Sequence, residues 1–144
     1  MPVLVNKGYS LPAFASENTL LIASSYSGNT EETVAVFEEA KAKGCGIACV
    51  TSGGKIGAFA EELGLNTLLM PGGNPPRSMF GYSFTLALEM LMHYGVASEN
   101  LLSDIDQAAD LIDQEETHIQ SEAKKLAHHL VLSLIHISEP TRPY

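Results

Sequence analysis

The order of predicted elements along the 144-residue chain indicates an α/β protein with three layers, α/β/α, around a mostly parallel sheet. Two observations support this fold class. Short apolar runs bounded by turn residues alternate with longer segments whose apolar residues recur at helical spacing. The segments between successive apolar runs are also long enough to contain a helix, which the connection between parallel strands requires.

The strands are predicted from apolar runs that end in turn residues. Residues 19–24 and 46–51 form the two clearest runs, and residues 66–70 form a shorter one. All three are predicted to be buried strands, because parallel strands are covered on both faces. Residues 3–6 are predicted to form a further short strand, although the neighbouring Pro2 weakens the signal.

The helices are predicted from apolar spacing and from their end signals. Residues 30–43 and 55–63 are predicted to be helices, and each is followed directly by a glycine that can end it. Residues 78–94 are apolar on every side, which predicts a fully buried helix. Residues 103–132 continue with a long, more acidic helical pattern.

Three segments are predicted along the chain: an α/β domain over residues 1–102, a helical segment over 103–132, and a tail over 133–144. The tail, "SLIHISEPTRPY", contains two prolines that cannot continue the preceding helix. It resembles a recurrent sequence that arises when a sequencing adapter is read as coding sequence. The tail is therefore expected to be non-native, and His136 is excluded from the candidate functional residues.

Composition and charge exclude several classes of function. The chain has 8 Lys and Arg against 17 Asp and Glu, a net charge of −9, so no basic patch for nucleic acid or anionic membrane is expected. No apolar run has the length of a membrane span, which leads us to expect a cytoplasmic protein. Cys45 and Cys49 are expected to be buried free thiols, and no residue cluster has metal-ligand spacing. No metal and no cofactor are predicted.

Three loops at the carboxyl ends of the predicted strands are the candidate site, since ligands bind there in open parallel sheets. We name them the serine loop (24–30), the glycine loop (51–55) and the proline loop (71–77). In the serine loop, three hydroxyls surround a Gly-Asn pair just before a helix. The N-terminus of a helix favours an anion such as phosphate. The candidate phosphate ligands are Ser25, Ser27, Gly28, Asn29 and Thr30.

A helix cap is the alternative explanation of the serine loop. Asn29 or Ser27 can cap the following helix, with Glu31 and Glu32 favourable in its first turn. Three hydroxyls are more than a cap needs, but residue chemistry alone leaves both explanations open. The glycine loop, "SGGK", lacks the spacing of a P-loop and is predicted to be a plain turn.

Arg77 is the candidate cation of the site. Pro75 and Pro76 place it in the first turn of the next helix, where a positive charge opposes the helix dipole by about 0.3–1 kcal/mol. An anionic ligand would reverse that penalty. The alternative is a surface arginine paired with a carboxylate such as Glu31 or Glu32.

The segment "TLLIASSYSGNTEETV" resembles the signature of the sugar-isomerase (SIS) domain, and its flavodoxin-like fold is therefore expected. With "GYSLPAF" before it and "NPPRSMFGYS" after it, the chain resembles the bifunctional phosphoglucose/phosphomannose isomerase family over roughly residues 2–130. The resemblance implies that Ser25, Ser27 and Thr30 bind the phosphate of a phosphosugar. It also implies that Arg77 faces the sugar and stabilises an enediolate.

The resemblance further implies an isomerase of glucose 6-phosphate, mannose 6-phosphate and fructose 6-phosphate, active as a homodimer and without a cofactor. The family's glutamate base and ring-opening histidine are assigned to no residue here. The chain is expected to be an internal fragment that lacks the first strand of the domain, and to be inactive and poorly stable alone. The alternative function is a non-catalytic SIS module that senses a phosphosugar.

Overall fold

The computed structural model of the chain describes residues 2–130. The predicted tail over 133–144 lies outside the described residues. By its internal contacts the chain divides after Leu101 into two compact units. The elements are β1 (Leu20–Ser25), α1 (Glu31–Ala42), β2 (Gly46–Thr51), α2 (Gly54–Leu63), β3 (Asn66–Leu69), a 3-10 turn (Pro76–Met79), α3 (Phe80–His93) and α4 (Leu101–Leu130).

The three strands form one parallel sheet in the order β1-β2-β3. Their register aligns the carboxyl ends, since Ser25 of β1 lies opposite Thr51 of β2, and Thr51 lies opposite Leu69 of β3. The loops that follow these three residues therefore lie together at the carboxyl end of the sheet, as the sequence predicted.

Helices cover both faces of the sheet, which confirms the predicted α/β/α arrangement. On one face, α1 and α2 pack on β1 and β2 around Phe37, whose ring stacks on Phe59 at 5.3 Å. On the other face, α3 packs on the sheet through Met90. The buried residues of the first face are Ala23, Phe37, Cys49, Ile56 and Ala60, and those of the second are Ala48, Val50, Met70 and Met90.

Glycines end α1 and α2 as the sequence predicted. Gly44 (φ 69°) and Gly64 (φ 63°) adopt the left-handed conformation that glycine takes without a steric penalty. The following residue then folds back on each helix. The N–H of Cys45 donates to the carbonyl of Ala40, and the N–H of Leu65 donates to that of Ala60. These bonds satisfy carbonyls that a helix end leaves free.

The prediction of a strand over residues 3–6 is wrong. These residues have no regular structure, and their side chains are exposed. No partner strand supplies the hydrogen bonds or the burial that would fix an extended segment there. Among the described residues, β1 is hydrogen-bonded to β2 alone.

Two burial predictions also need correction. The strand β3 is only half-buried, because it is a four-residue edge strand with a neighbour on one side. The helix α3 is not fully buried: one face packs on the sheet, while Phe80, Tyr82 and Phe84 are exposed. A three-stranded sheet can cover only one face of α3, so the apolar residues on the other faces of the helix stay exposed.

The helix α4 has 30 residues, none of them buried, and forms the described part of the second unit. Its most direct polar contact is an ion pair at 2.6 Å between Lys125 and Glu122, one turn apart. The last two residues of the helix predicted over 103–132 lie outside the described residues. Within residues 2–130, no helix combines the length and the apolar character needed to cross a membrane.

The two cysteines are free thiols in different environments. Cys49 is fully buried, and its burial raises the pKa of the thiol to about 11, against the opposing effect of a hydrogen bond from Thr67. Cys45 is only half-buried, so the predicted burial holds for Cys49 alone.

This difference predicts selective alkylation. The thiolate is the reactive form, and a raised pKa leaves Cys49 almost wholly protonated at pH 8. We expect iodoacetamide to modify Cys45 in the folded chain and both cysteines in denaturant, as measured by peptide mass spectrometry. Equal modification of both cysteines in the folded chain would contradict the burial of Cys49.

Candidate functional site

The serine loop connects the buried end of β1 to α1. Ser25, the last residue of β1, is 6% exposed, whereas Ser27, Asn29 and Thr30 are exposed. The Ser25 and Thr30 hydroxyls lie 2.8 Å apart within hydrogen-bonding geometry, and the N–H of Gly28 donates to Ser25 Oγ at 3.1 Å. The buried hydroxyl of Ser25 thus closes the loop into a tight turn.

The first turn of α1 has no side-chain cap. Thr30 occupies the N-cap position, but its hydroxyl is bonded to Ser25 and makes no capping hydrogen bond. Ser27 Oγ accepts the N–H of Asn29, which lies before the helix, at 3.2 Å. The alternative in which Asn29 or Ser27 caps α1 is therefore wrong. The positive end of the α1 dipole therefore lies near the hydroxyls of Ser25, Ser27 and Thr30.

The side chain of Asn29 binds the glycine loop instead. Its Oδ1 accepts the N–H of Lys55 at 3.1 Å, and the carbonyl of Gly28 accepts the N–H of Ile56 at 3.0 Å. The amide group of Asn29 also donates to the carbonyl of Ser27 at 3.1 Å. The serine loop thus caps the N-terminus of α2, which has no side-chain cap of its own.

The serine and glycine loops touch through their backbones. A Cβ added at Gly28 would overlap the carbonyl oxygen of Gly53 and lie 2.9 Å from Thr51 Oγ1. A Cβ added at Gly54 would overlap the carbonyl oxygen of Ser27. The glycine loop therefore supports the serine loop, a role that the prediction of a plain turn missed. The adjacent glycines in "SGGK" were the available signal, because paired glycines permit close backbone approach.

The proline loop is joined to the serine loop by Tyr26. The Tyr26 hydroxyl accepts the N–H of Asn74 and donates to the carbonyl of Asn74, both at 2.9 Å. Arg77 follows in the 3-10 turn, exposed and with Pro76 as the first residue of the turn. No ion pair of Arg77 with a carboxylate is found within the described residues, so the alternative of pairing with Glu31 or Glu32 is wrong.

The segment that carries "GYSLPAF" lies along α1, next to the serine loop. The N–H of Leu11 donates to Glu39 Oε2 at 2.7 Å, and this bond, together with Lys43, lowers the pKa of the Glu39 carboxyl. Near the start of α1, the carboxylates of Glu32 and Glu31 raise the pKa of the Tyr9 hydroxyl, Glu32 having the larger effect. This segment brings a phenol hydroxyl to the first turn of α1.

The described residues hold no group of three or more His, Cys, Asp or Glu side chains arranged to bind a metal ion. His93 ends α3, packs edge-on against Tyr94 at 5.0 Å and lies 3.4 Å from the side chain of Asn66. It lies at the amino end of β3, at the opposite end of that strand from the serine loop.

Comparison with known proteins relates this chain to sugar-phosphate enzymes. No family model matches it. It is 40% identical over 137 residues to the bifunctional phosphoglucose/phosphomannose isomerase of Caldicellulosiruptor bescii, covering 93% of this chain and 40% of that protein. A protein of the same name from Thermoplasma acidophilum is 41% identical over 110 residues, covering 74% of this chain and 34% of that protein.

A third relative has a different activity in its name. The D-glucosamine-6-phosphate 4-epimerase of Sulfolobus acidocaldarius is 37% identical over 92 residues, covering 63% of this chain and 30% of that protein. The chain spans less than half the length of each of these curated relatives. Because several relatives of one name match most of its length at 33–41% identity, the chain belongs to the bifunctional phosphoglucose/phosphomannose isomerase family.

Proposed function

We propose that the serine loop binds the phosphate of a sugar 6-phosphate. The proposal rests on one observation: the first turn of α1 has no side-chain cap, and the hydroxyls of Ser27 and Thr30 are exposed beside it. Backbone N–H groups and hydroxyls are the donors that hold a phosphate where cations are few. The named substrates of the three relatives are all phosphorylated sugars, which supports the same ligand class.

The individual roles follow from the burial of each residue. Ser27 and Thr30 present hydroxyls to the phosphate, and Ser25 closes the loop while remaining within reach as a third hydroxyl. Gly28 shapes the loop, because its N–H already donates to Ser25 and its carbonyl accepts the N–H of Ile56, and Asn29 holds the loop against the start of α2. A phosphate at the first turn of α1 is stabilised by the helix dipole as well as by hydrogen bonds.

For a protein of the relatives' full length, we propose isomerisation between glucose 6-phosphate or mannose 6-phosphate and fructose 6-phosphate. After ring opening, a base removes the proton from C2, a cis-enediolate forms, and C1 is reprotonated. The reaction needs acid–base groups and an oxyanion stabiliser but no cofactor. Arg77 supplies the positive charge that stabilises the enediolate. Glucose and mannose differ only at C2, which is planar in the intermediate, so one site serves both.

The acid and base are assigned to none of residues 2–130, and we propose that other parts of a homodimeric protein supply them. The competing function is a phosphosugar sensor, which needs the phosphate site but not an enediolate stabiliser. Arg77 favours the enzyme, because an exposed cation without a carboxylate partner among the described residues suits an anionic intermediate.

Phosphate binding can be tested on the full chain by calorimetric titration with glucose 6-phosphate, mannose 6-phosphate and inorganic phosphate. We expect Ser27→Ala to weaken all three by about tenfold or more, since a hydrogen bond to a charged group contributes about 1.5–3 kcal/mol. Ser98→Ala is the matched control, because Ser98 Oγ likewise accepts a backbone N–H two residues later, from Asn100 at 3.3 Å. A wild-type chain that binds none of the ligands would refute the phosphate site.

A further inference from the structure

Tyr26 lies between two of the candidate phosphate ligands, yet its side chain reaches away from the serine loop. Its ring is half-buried and packs against the core on the α3 side of the sheet, around Ala48, Val50 and Met90. The hydroxyl is therefore held at a fixed place by the core, rather than by the loop that it contacts.

The proline loop is anchored at its two ends by the buried Met70 and Met79, and little else holds the residues between them. All residues from 71 to 78 are exposed. Within residues 2–130, the two hydrogen bonds between Tyr26 and Asn74, at 2.9 Å each, are the only ones that join Pro71–Pro76 to the serine or glycine loop. Asn74 also donates from its side chain to the carbonyl of Gly72 at 3.3 Å, which shapes the loop internally.

A fixed Asn74 restricts where the backbone of Arg77 can lie. Two prolines separate these residues, and each proline has a fixed φ, with Pro75 at φ −58° and ψ 133°. The 3-10 turn is closed by Ser78, which donates from its N–H (3.0 Å) and from its hydroxyl (2.7 Å) to the carbonyl of Pro75. Few rotatable backbone angles thus remain between the tethered residue and the arginine.

We propose that Tyr26 is a positioning residue that holds Arg77 relative to the bound phosphate, and so sets the distance between the phosphate and the reacting carbons of the sugar. This role rests on the proposed function. The serine loop holds the phosphate end of the substrate. The hydroxyl of Tyr26, through its hydrogen bonds to Asn74, holds Arg77 at a set distance from that loop, near the other end of the substrate.

The binding of two ligands can distinguish a positioning role of Tyr26 from a general effect of Tyr26 on the structure of the site. Inorganic phosphate needs the serine loop alone. Arabinonate 5-phosphate adds a carboxylate at the far end of a five-carbon chain, where it resembles the enediolate and requires Arg77. We expect Tyr26→Phe to leave the Kd of inorganic phosphate within twofold and to weaken arabinonate 5-phosphate about tenfold, since two hydrogen bonds to the loop are lost. On the Arg77→Ala background, Tyr26→Phe should cause no further loss.

The control is Tyr94→Phe. The ring of Tyr94 packs on the same core as that of Tyr26, and the substitution removes only its hydroxyl, which is bonded to Asn66 at 2.8 Å. It should bind both ligands like the wild type. The positioning role of Tyr26 would be overturned if Tyr26→Phe weakened the binding of both ligands equally. It would also be overturned if Tyr26→Phe still weakened arabinonate 5-phosphate binding on the Arg77→Ala background. A wild-type chain that binds neither ligand overturns the proposed function and this role with it. Wild-type affinities in Tyr26→Phe overturn the role alone.

Discussion

Gly28→Ala is expected to destabilise the α/β unit and to eliminate phosphate binding. The new Cβ would overlap the carbonyl oxygen of Gly53 and lie 2.8 Å from the carbonyl carbon. Because these are backbone atoms of the facing loop, no side chain can rotate to make room. The serine and glycine loops would have to separate, which would break the bonds from Lys55 to Asn29 and from Ile56 to Gly28.

Two costs add up in this variant. Gly28 has φ 64°, where a residue with a Cβ is disfavoured by about 1–2 kcal/mol. Overpacking of a close contact costs roughly a further 1–3 kcal/mol. The sum, about 2–5 kcal/mol, is a large fraction of the total stability of a small domain, which is about 5–15 kcal/mol. Urea denaturation followed by circular dichroism measures it.

Comparison with Gly64→Ala separates the steric cost of Gly28→Ala from its backbone cost. Gly64 has φ 63°, but a Cβ there meets no atom within 4 Å, so only the backbone penalty remains. We expect Gly28→Ala to be less stable than Gly64→Ala by the cost of the clash, and Gly64→Ala to retain phosphate binding. Equal stability of the two variants would show that the two loops do not interlock as described.

Arg77→Ala is expected to lower turnover by about 10²–10³ in a protein of the relatives' full length that carries this sequence, the loss typical of removing one stabiliser of an oxyanion. Phosphosugar affinity should stay within about tenfold, or 1.4 kcal/mol, because we propose that the serine loop, and not Arg77, holds the phosphate. Steady-state assays with glucose 6-phosphate and mannose 6-phosphate, together with direct binding, measure both quantities.

Stability gives an internal check on this variant. Arg77 is exposed, makes no ion pair within the described chain and lies in the short 3-10 turn before α3 rather than in α3 itself, so its removal should not destabilise the fold. Lys41→Ala removes the same charge from the far end of α1 and should leave turnover unchanged. Turnover that survives Arg77→Ala would favour the phosphosugar sensor.

Local signals in the sequence predicted the α/β/α layers, and the glycines after α1 and α2 predicted where those helices end. Burial was harder to predict, because it depends on how many strands are present to cover each face. The exposed Phe80 on α3 and the half-buried β3 both follow from a sheet of three strands. Apolar composition alone does not contain that information.

Hydroxyl spacing led us to propose the serine loop as a site, but the contacts that hold this loop in place were not predicted. Asn29 caps a helix 25 residues farther along the chain, and Tyr26 binds the backbone of a residue 48 positions away. Such partners are set by strand register, since Ser25 and Thr51 end opposite each other. The residue types gave no sign of them, because an asparagine next to a glycine is also typical of an ordinary turn.

The serine and glycine loops meet through main-chain atoms, so they are not free to diverge separately in evolution. A side chain gained at Gly28 or Gly54 would have to be matched by a backbone shift in the other loop, and an insertion in either would remove the cap of α2. Related proteins that change the length of one loop should therefore change the other in the same lineage. Substrate range would then vary more readily through the proline loop, whose exposed residues contact the rest of the site mainly through one tyrosine.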